Sequence, residues 1–306
     1  MSRWLCRVAA CGCVVAIALS TNASAQTPVI APVESLNFDR PEAWALKYFT
    51  SPTLLTGLET PETMRPGSVT IGLELGWIPA LSPSQERVGF NGTKQEDLNK
   101  TPIFLRPRLK VGLPWRLSLI VAVNPPIKTF GIEPRLLATG LEHAIVEEDD
   151  WTLKWRVYGQ IGTATGAFTC PSRVLVFPPG SANNSYGCRA LSSDVATLRY
   201  AGGELAGARR IARMGGLTPF LAVAINYMNS VFKVYAQTFD YIDHTRLEAH
   251  GMTFSASGGA AYPLTNRITV AAEAFYSPLT VRRTLGASSS IDGLFNVRGL
   301  VTYRVR

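Results

Sequence analysis

The residues with the clearest capacity for chemistry lie in one segment, DYIDHTRLEAHGM, which spans residues 240–252. It contains His244 and His250, two of the chain's three histidines, together with Asp243 and Glu248. Imidazole and carboxylate side chains this close together are the groups of a metal site or of an acid–base pair. Because the sequence identifies no third metal ligand, we interpret the segment as a solvated one and predict no catalytic, metal-binding or cofactor-binding residue.

The rest of the chain lacks the sequence motifs of common enzyme sites. It contains no G-x-S-x-G, no phosphate-binding loop and no C-x-x-C. The formal net charge is +8, yet no run of lysine or arginine occurs, so the sequence does not indicate a nucleic-acid partner. A non-enzymatic protein is the leading interpretation.

The first 25 residues have the three-part layout of a secretory signal peptide. Arg3 and Arg7 precede a short apolar run, and Ala23-Ser24-Ala25 forms an A-x-A cleavage site. The apolar run is shorter than the roughly 20 residues that a membrane-spanning helix needs. We therefore predict a mature chain that begins at residue 26, is exported and keeps no helical anchor.

Two cysteines, Cys170 and Cys188, remain after cleavage at that site. An exported protein meets an oxidising compartment, where such a pair is most simply a disulfide. We predict that this bridge holds the long connection between them at the mouth of the fold.

From residue 68 onward the dominant pattern is the period-two alternation of β-strands. In SVTIGLELGWI, residues 68–78, every second residue from Val69 to Trp77 is apolar, whereas Glu74 lies on the opposite face. The pattern recurs and predicts ten strands: 68–78, 102–113, 116–125, 131–145, 151–166, 194–209, 217–238, 244–262, 267–279 and 293–305. Short connections alternate with long ones such as 79–101 and 167–193, although NPPIK makes a short connection where a long one is expected.

This layout resembles that of bacterial outer-membrane β-barrel proteins, in which short periplasmic turns alternate with long extracellular loops. The resemblance covers residues 68–306 and implies an all-β fold, a closed antiparallel transmembrane β-barrel in contact with outer-membrane lipid. The last strand would pair with the first, because lipid provides no hydrogen-bonding partner for an open sheet edge. The last strand in that superfamily usually ends on an aromatic residue, whereas here Tyr303 precedes a final Arg306.

Residues 26–67 do not alternate and form a separate N-terminal segment, either periplasmic or inserted as a plug. Asp39 and Pro41 suit the N-cap and first turn of a short helix that begins near residue 40. If residues 40–60 add a hairpin instead, the barrel has twelve strands. A soluble sandwich or a carrier with an apolar lumen is the alternative fold. The membrane barrel is favoured by aromatic residues near strand ends, namely Trp77, Trp151, Tyr276 and Tyr303.

Within the barrel, two placements of the 240–252 segment are open. Its histidines share a parity with Met252 and Phe254, which are expected to face lipid. The histidines therefore stand above the membrane, or a bulge at Gly251 turns them inward. In the second case, Asp240 or Asp243 beside His244 would resemble the acid–base pair of outer-membrane proteases.

The faces opposite the apolar ones carry an excess of basic side chains, which the alternation places in the lumen: Arg106, Arg108, Lys110, Arg116, Lys154, Arg156, Arg199, Arg267, Arg298 and Arg304. Fewer acids fall there, chiefly Glu74 and Glu273. Unpaired charges are costly in a dry interior, so we expect a hydrated lumen. The leading function is a narrow pore or facilitator for small polar or anionic solutes. The alternatives are an outer-membrane hydrolase acting on lipid or peptide, and a loop-presenting structural or adhesive barrel.

Overall fold

The computed structural model describes residues 27–58, 63–148, 150–284, 286 and 288–305. The predicted signal peptide, residues 1–25, and the final residue, Arg306, lie outside these ranges. In the parts of the chain that are described, no helix is long and apolar enough to cross a membrane.

Ten antiparallel strands form a closed barrel, and each pairs with its neighbours in chain order. They are β1 (Val69–Trp77), β2 (Ile103–Gly112), β3 (Leu117–Asn124), β4 (Ile132–Glu147), β5 (Trp151–Gly166), β6 (Asp194–Arg209), β7 (Thr218–Lys233), β8 (Arg246–Pro263), β9 (Ile268–Ser277) and β10 (Leu294–Arg304). β10 pairs with β1 from Val297↔Trp77 to Arg304↔Thr70 and completes the ring. The predicted ten-stranded barrel is confirmed, whereas the hairpin of the twelve-stranded alternative is not formed in the described part of that segment.

The two faces of the wall differ as a transmembrane barrel requires. Leu73 and Leu75 on β1 are 47% and 50% exposed on the outer surface, whereas Glu74 between them is fully buried in the interior. Exposed aromatic side chains lie near strand ends at both rims: Trp77 and Tyr276 at one, Trp151 and Tyr303 at the other. An apolar band bordered by aromatic residues is the surface that lipid contacts.

Four long connections and the short β3–β4 connection leave the barrel at one rim, here called the loop rim, whereas the connections at the opposite turn rim are all short. In outer-membrane barrels the long loops face the cell exterior. β7 ends at Lys233, earlier than predicted, because the chain turns there into a separate small sheet. The short strands outside the barrel are Val29–Ile30, Val33–Ser35, Arg87–Val88, Lys94–Gln95, Ala236–Thr238, Tyr241–Asp243, Thr280–Val281 and Ser290–Ile291. The short helical turns are Ser51–Thr53, Gly89–Gly92, Ala182–Asn184 and Ala212–Met214.

A helix, α1 (Pro41–Thr50), lies in the mouth of the barrel at the loop rim. Pro41 occupies its first turn, where a missing N–H is tolerated. The predicted N-cap at Asp39 is wrong, because Arg40 holds that position and makes no side-chain capping bond. Asp39 instead accepts hydrogen bonds from Ser289 Oγ (2.6 Å) and Arg282 Nη2 (2.9 Å), so its carboxylate joins the helix to the β9–β10 loop.

The N-terminal segment passes through the barrel instead of lying on its periplasmic side. At the loop rim, Val33–Ser35 pairs in parallel with the first residues of β8. After α1, residues 51–58 continue down the lumen to Leu58, which is fully buried against Ala208 and Leu300 near the turn rim. The described part of this segment therefore begins outside the barrel and fills its interior before β1 starts.

This path predicts opposite accessibilities for two engineered cysteines. Val33→Cys, at an exposed position on the loop rim, should react with a membrane-impermeant maleimide on intact cells. Pro66→Cys, in the exposed chain just before β1 at the turn rim, should react after the outer membrane is opened. Labelling of both on intact cells, or of Pro66→Cys alone, would contradict the path.

Candidate functional site

A layer of buried charged side chains crosses the lumen. It consists of six cations and four carboxylates, here called the charged layer: Arg106, Arg108, Lys110, Lys154, Arg156, Arg298, Glu74, Glu142, Glu204 and Glu273. Each is at most 6% exposed. These side chains come from strands around the ring, so the layer ties opposite parts of the wall together.

Glu74 is one centre of the charged layer. Arg106 Nε and Arg108 Nε donate to its Oε2 at 2.8 Å and 2.6 Å, and Arg298 Nη1 lies 3.9 Å from Oε1. Because β1 and β2 are paired with Glu74 opposite Arg106, the contact follows directly from strand register. The short, charge-assisted hydrogen bonds compensate for the loss of water around these ions.

Glu142 on β4 is the second centre. Its Oε1 atom lies 2.5 Å from Lys110 Nζ. Its Oε2 atom accepts hydrogen bonds from Arg156 Nη2 (2.8 Å) and Lys154 Nζ (3.2 Å). Arg156 also donates to Glu204 at 3.2 Å, which extends the contacts to β6. Two carboxylates that the sequence analysis did not place inside, Glu142 and Glu204, thus bind much of the positive charge.

Residues 51–58, here called the plug, supply further acceptors for the cations. Arg106 Nη1 donates to the Thr53 carbonyl at 2.6 Å, and Arg298 Nη1 donates to the Leu54 carbonyl at 2.8 Å. Thr56 Oγ1 donates to Glu273 at 2.8 Å. Residues 51–58, a short helical turn followed by irregular backbone, therefore have carbonyl and hydroxyl groups that bind the wall, and these contacts occupy this level of the lumen.

Four basic residues predicted to line the lumen lie elsewhere, and their assignment is wrong. Arg116 and Arg267 are exposed in connections at the turn rim, and Arg304 is exposed at the last position of β10, beyond the buried part of the strand. Arg199 lies on the outer face, because the inward residues of β6 are the even-numbered ones, including Tyr200.

Removing one centre of the charged layer should destabilise the barrel. In Glu142→Gln three buried cations lose a carboxylate, which should reduce the free energy of unfolding by about 3–5 kcal/mol. Urea unfolding in lipid vesicles, followed by heat-modifiable gel migration, measures this. Glu133→Gln is the matched control on the same strand, because its partner Arg135 is 68% exposed and such pairs contribute below about 1 kcal/mol. Equal losses in the two variants would refute the role of the layer.

The predicted polar cluster is not assembled into one site. Asp243 is buried and accepts hydrogen bonds from Tyr186 and from the Thr245 amide (2.7 Å). The His244 ring packs against Tyr235, and Glu248 pairs with Arg246 at 2.7 Å. Among the described residues, no group of three His, Cys, Asp or Glu side chains is positioned to hold a metal ion.

The β7–β8 ladder is unbroken, so no bulge turns His250 inward. Its register places His250 opposite Asn229, which in turn lies opposite Arg199 on β6. All three side chains are exposed on the outer face. The second placement of the histidines is therefore wrong, and a polar row crosses three strands close to the loop rim.

The predicted disulfide between Cys170 and Cys188 is confirmed. Both cysteines are buried at the loop rim, where they pack with Val234 and Ala236. Just before the bridge, the amides of Phe168 and Thr169 donate to the carboxylate of Asp194 at 3.0 Å and 2.7 Å. The base of the β5–β6 loop is therefore fixed to the first residue of β6.

A cavity of about 340 Å³, here called the side cavity, lies between the charged layer and the loop rim. Its inner wall is almost entirely apolar and includes Phe49, Leu136, Ala196 and Leu198. Its floor includes Thr53, the residue that Arg106 binds. The volume is in the range of about 300–1,000 Å³ that is usual for small-molecule sites.

The side cavity also reaches the outer, lipid-facing surface. Leu75, Ile103 and Leu105 line it, yet they are 44–51% exposed on the outside of the barrel. Ile127 and Phe130 from the β3–β4 connection line it as well and are 61% and 59% exposed. A cavity lined by both faces of the wall passes through the wall.

Strand pairing explains this opening. The β2–β3 ladder runs from Gly112↔Ser118 to Arg108↔Ala122 and ends there, five residues short of the loop-rim end of β2. On the other side, β3 pairs with β4 up to Asn124↔Leu136, while β4 itself continues to Ile132. β3 is thus shorter than both neighbours at the loop rim. An opening, here called the notch, remains between the loop-rim ends of β2 and β4.

Four prolines border the notch: Pro107 on β2, Pro125 and Pro126 after β3, and Pro134 on β4. Proline has no N–H and cannot continue a ladder, but it also leaves no unpaired donor facing lipid. Asn124 Nδ2 donates to the Leu105 carbonyl at 3.0 Å and occupies one acceptor that β3 leaves. The sequence around the notch is therefore suited to an interrupted wall.

A second cavity of about 150 Å³, the mouth cavity, lies at the loop rim beside α1. Its polar lining residues include Arg40, Glu42, Lys94, Glu96, Tyr186 and Asp243. Burial raises the pKa of Glu96 to about 7, although the Lys94 ammonium group at 2.9 Å acts to lower it. The mouth cavity thus contains a carboxyl group that titrates near neutral pH.

The packing of the mouth should depend on pH through Glu96. Between the ordinary pKa of 4.5 and about 7, the folded loop holds a proton that the unfolded loop lacks, so stability falls as pH rises through this interval. Glu96→Gln should remove the dependence and gain up to about 3 kcal/mol at pH 8. To test this, the rate of proteolysis in the 79–101 loop is measured from pH 4.5 to 8 in native protein and in the variant, and the ratio of the two rates is followed. A flat ratio would contradict it.

No protein-family model and no curated protein matches the chain. Among solved structures, it is similar to the translocator domain of autotransporter NalP from Neisseria meningitidis, with 9% identity, 88% of this chain and 100% of that chain covered, and a TM-score of 0.45. It is also similar to the outer membrane protease OmpT from Escherichia coli (11% identity, 80% and 100% covered, TM-score 0.33). A third similar structure is Ail, the attachment invasion locus protein of Yersinia pestis, with 10% identity, 78% of this chain and 99% of that chain covered, and a TM-score of 0.31.

These identities and scores carry over no residue role and no function. The closed ring of ten strands, its apolar outer band and its charged interior are the chain's own features. On that basis the chain has the fold of a closed, antiparallel transmembrane β-barrel, the fold that bacterial outer-membrane barrel proteins share.

Proposed function

We propose that this barrel binds a small, uncharged apolar molecule in the side cavity and exchanges it with the membrane through the notch. The observation that carries the proposal is the continuity of an apolar interior surface with lipid-facing residues of β1 and β2. A ligand in this cavity can enter the bilayer without crossing water, which favours transfer of apolar molecules.

The charged layer supports a sideways route over passage along the barrel axis. A molecule moving from the side cavity to the turn rim must separate buried ion pairs such as Glu74–Arg106 and displace the plug from its contacts with Arg298. Separating a buried pair costs several kcal/mol. Lateral exit through the notch breaks none of these contacts.

The same contacts weaken the support for an anion facilitator. The basic side chains that would attract anions are bound to glutamates and plug carbonyls in the described interior. Passage of small anionic solutes stays a prediction from the sequence, and conductance recording tests it. A steady anion-selective current through purified protein in planar bilayers would favour it over the apolar ligand proposed here.

Filling the side cavity should abolish ligand binding. In Ala196→Trp, an indole replaces a methyl group on the cavity wall of β6. Photolabelling with an aliphatic diazirine in lipid nanodiscs, mapped by mass spectrometry, should mark residues such as Leu136 and Leu198 in native protein. Labelling of these interior residues should be at least tenfold lower in the variant than in native protein.

Ala201→Trp is the control, because Ala201 lies on the outer face of the same strand. It should keep the interior labelling of the native protein, and heat-modifiable migration verifies that both variants fold. Labels spread along the lipid face, with an interior signal unchanged by Ala196→Trp, would refute the proposed function.

A further inference from the structure

The mouth cavity and the side cavity are separated by a thin apolar partition. Three residues line both cavities: Phe49, Leu98 and Phe168. The rings of Phe49 and Phe168 are in contact, with centroids 5.3 Å apart. At this point the partition is one layer of side chains, those of Phe49, Leu98 and Phe168.

We infer that this partition is a gate through which the ligand reaches the side cavity from the external medium. The inference rests on the proposed function and adds the direction of entry: mouth cavity, partition, side cavity, notch. Apolar residues such as Leu46, Phe90 and Phe232 line the mouth cavity between its charged groups, so the apolar surface continues along the whole route.

The two sides of the gate differ in how firmly they are held. Phe168 is 2% exposed, packs on Phe232 with centroids 5.9 Å apart, and has its amide bound to Asp194. Phe49 lies in the last turn of α1 and is only partly buried. Rotation of the Phe49 side chain is consequently the smallest movement that joins the cavities, and rotamer changes of this kind are fast compared with movements of whole elements.

The gate also defines the class of ligand. The side chains of Phe49, Leu98 and Phe168 offer no hydrogen bond, so a charged or strongly polar solute loses its hydration there without compensation. The aromatic rings provide flat apolar contact. The route therefore selects neutral molecules that are small and apolar, and it rejects the charged solutes that the groups at the mouth could otherwise attract.

A cysteine reporter in the side cavity tests the route. Cys170 and Cys188 are bridged, so in protein that begins at the predicted residue 26, Ala196→Cys introduces the reactive thiol. Its modification rate is measured in proteoliposomes with two neutral reagents, one dissolved in water and one confined to the lipid. Adding Phe49→Ala should raise the rate with the aqueous reagent at least tenfold and leave the rate with the lipid reagent within a factor of two.

Phe254→Ala is the matched control, because Phe254 is 59% exposed on the outer face of β8; it should change neither rate. If Phe49→Ala does not fold by heat-modifiable migration, Phe168→Leu makes the same test. An aqueous rate unchanged by opening the partition, with rapid reaction from lipid, would overturn the gate and leave the proposed function standing. A thiol that neither reagent reaches would overturn both.

Discussion

The constraint on which this structure depends is that lipid offers no hydrogen bond to an exposed peptide group. A sheet in lipid can satisfy that constraint only by closing on itself, as this one does where β10 pairs with β1. At the notch, β3 falls short of both of its neighbours. There the prolines remove donors and Asn124 binds a free carbonyl, so the wall is interrupted with few unpaired backbone groups facing lipid.

Closure produces an interior that must be filled, and here much of it is filled by buried ion pairs and by the segment that binds their cations. The charged layer satisfies its cations with four carboxylates and with carbonyls of the plug. A helical plug has most of its carbonyls bonded internally, whereas residues 51–58 leave theirs available. α1 accordingly ends at Thr50, in the mouth, and a short helical turn followed by irregular backbone continues at the level of the arginines.

The sequence predicts most of this architecture because alternation reports which residues face lipid. Both ends of nine of the ten strands lie within two residues of their predicted positions; β7 is the exception. Two of the failures lie at the side cavity. On β6, Leu198 and Tyr200 are apolar yet face inward, toward the side cavity and the plug, so a parity rule assigns that strand to the wrong face and places Arg199 inside. The connection NPPIK is short at a rim where long connections are expected, and it borders the notch. The partners of the arginines depend on contacts across the ring, which no local pattern reports.

The two features that the alternation misassigns lie at the same place in the barrel. The inward apolar face of β6 and the short loop after β3 are separate in sequence, but they form the inner wall and the outer edge of one cavity. A barrel selected only for stability would gain by burying polar or plug residues against Leu198 and by lengthening β3, since each change would add hydrogen bonds or packing. Retaining an apolar hollow beside an opening to lipid, above a layer of ion pairs that closes the axis, is the arrangement expected of a protein that holds apolar molecules and releases them sideways.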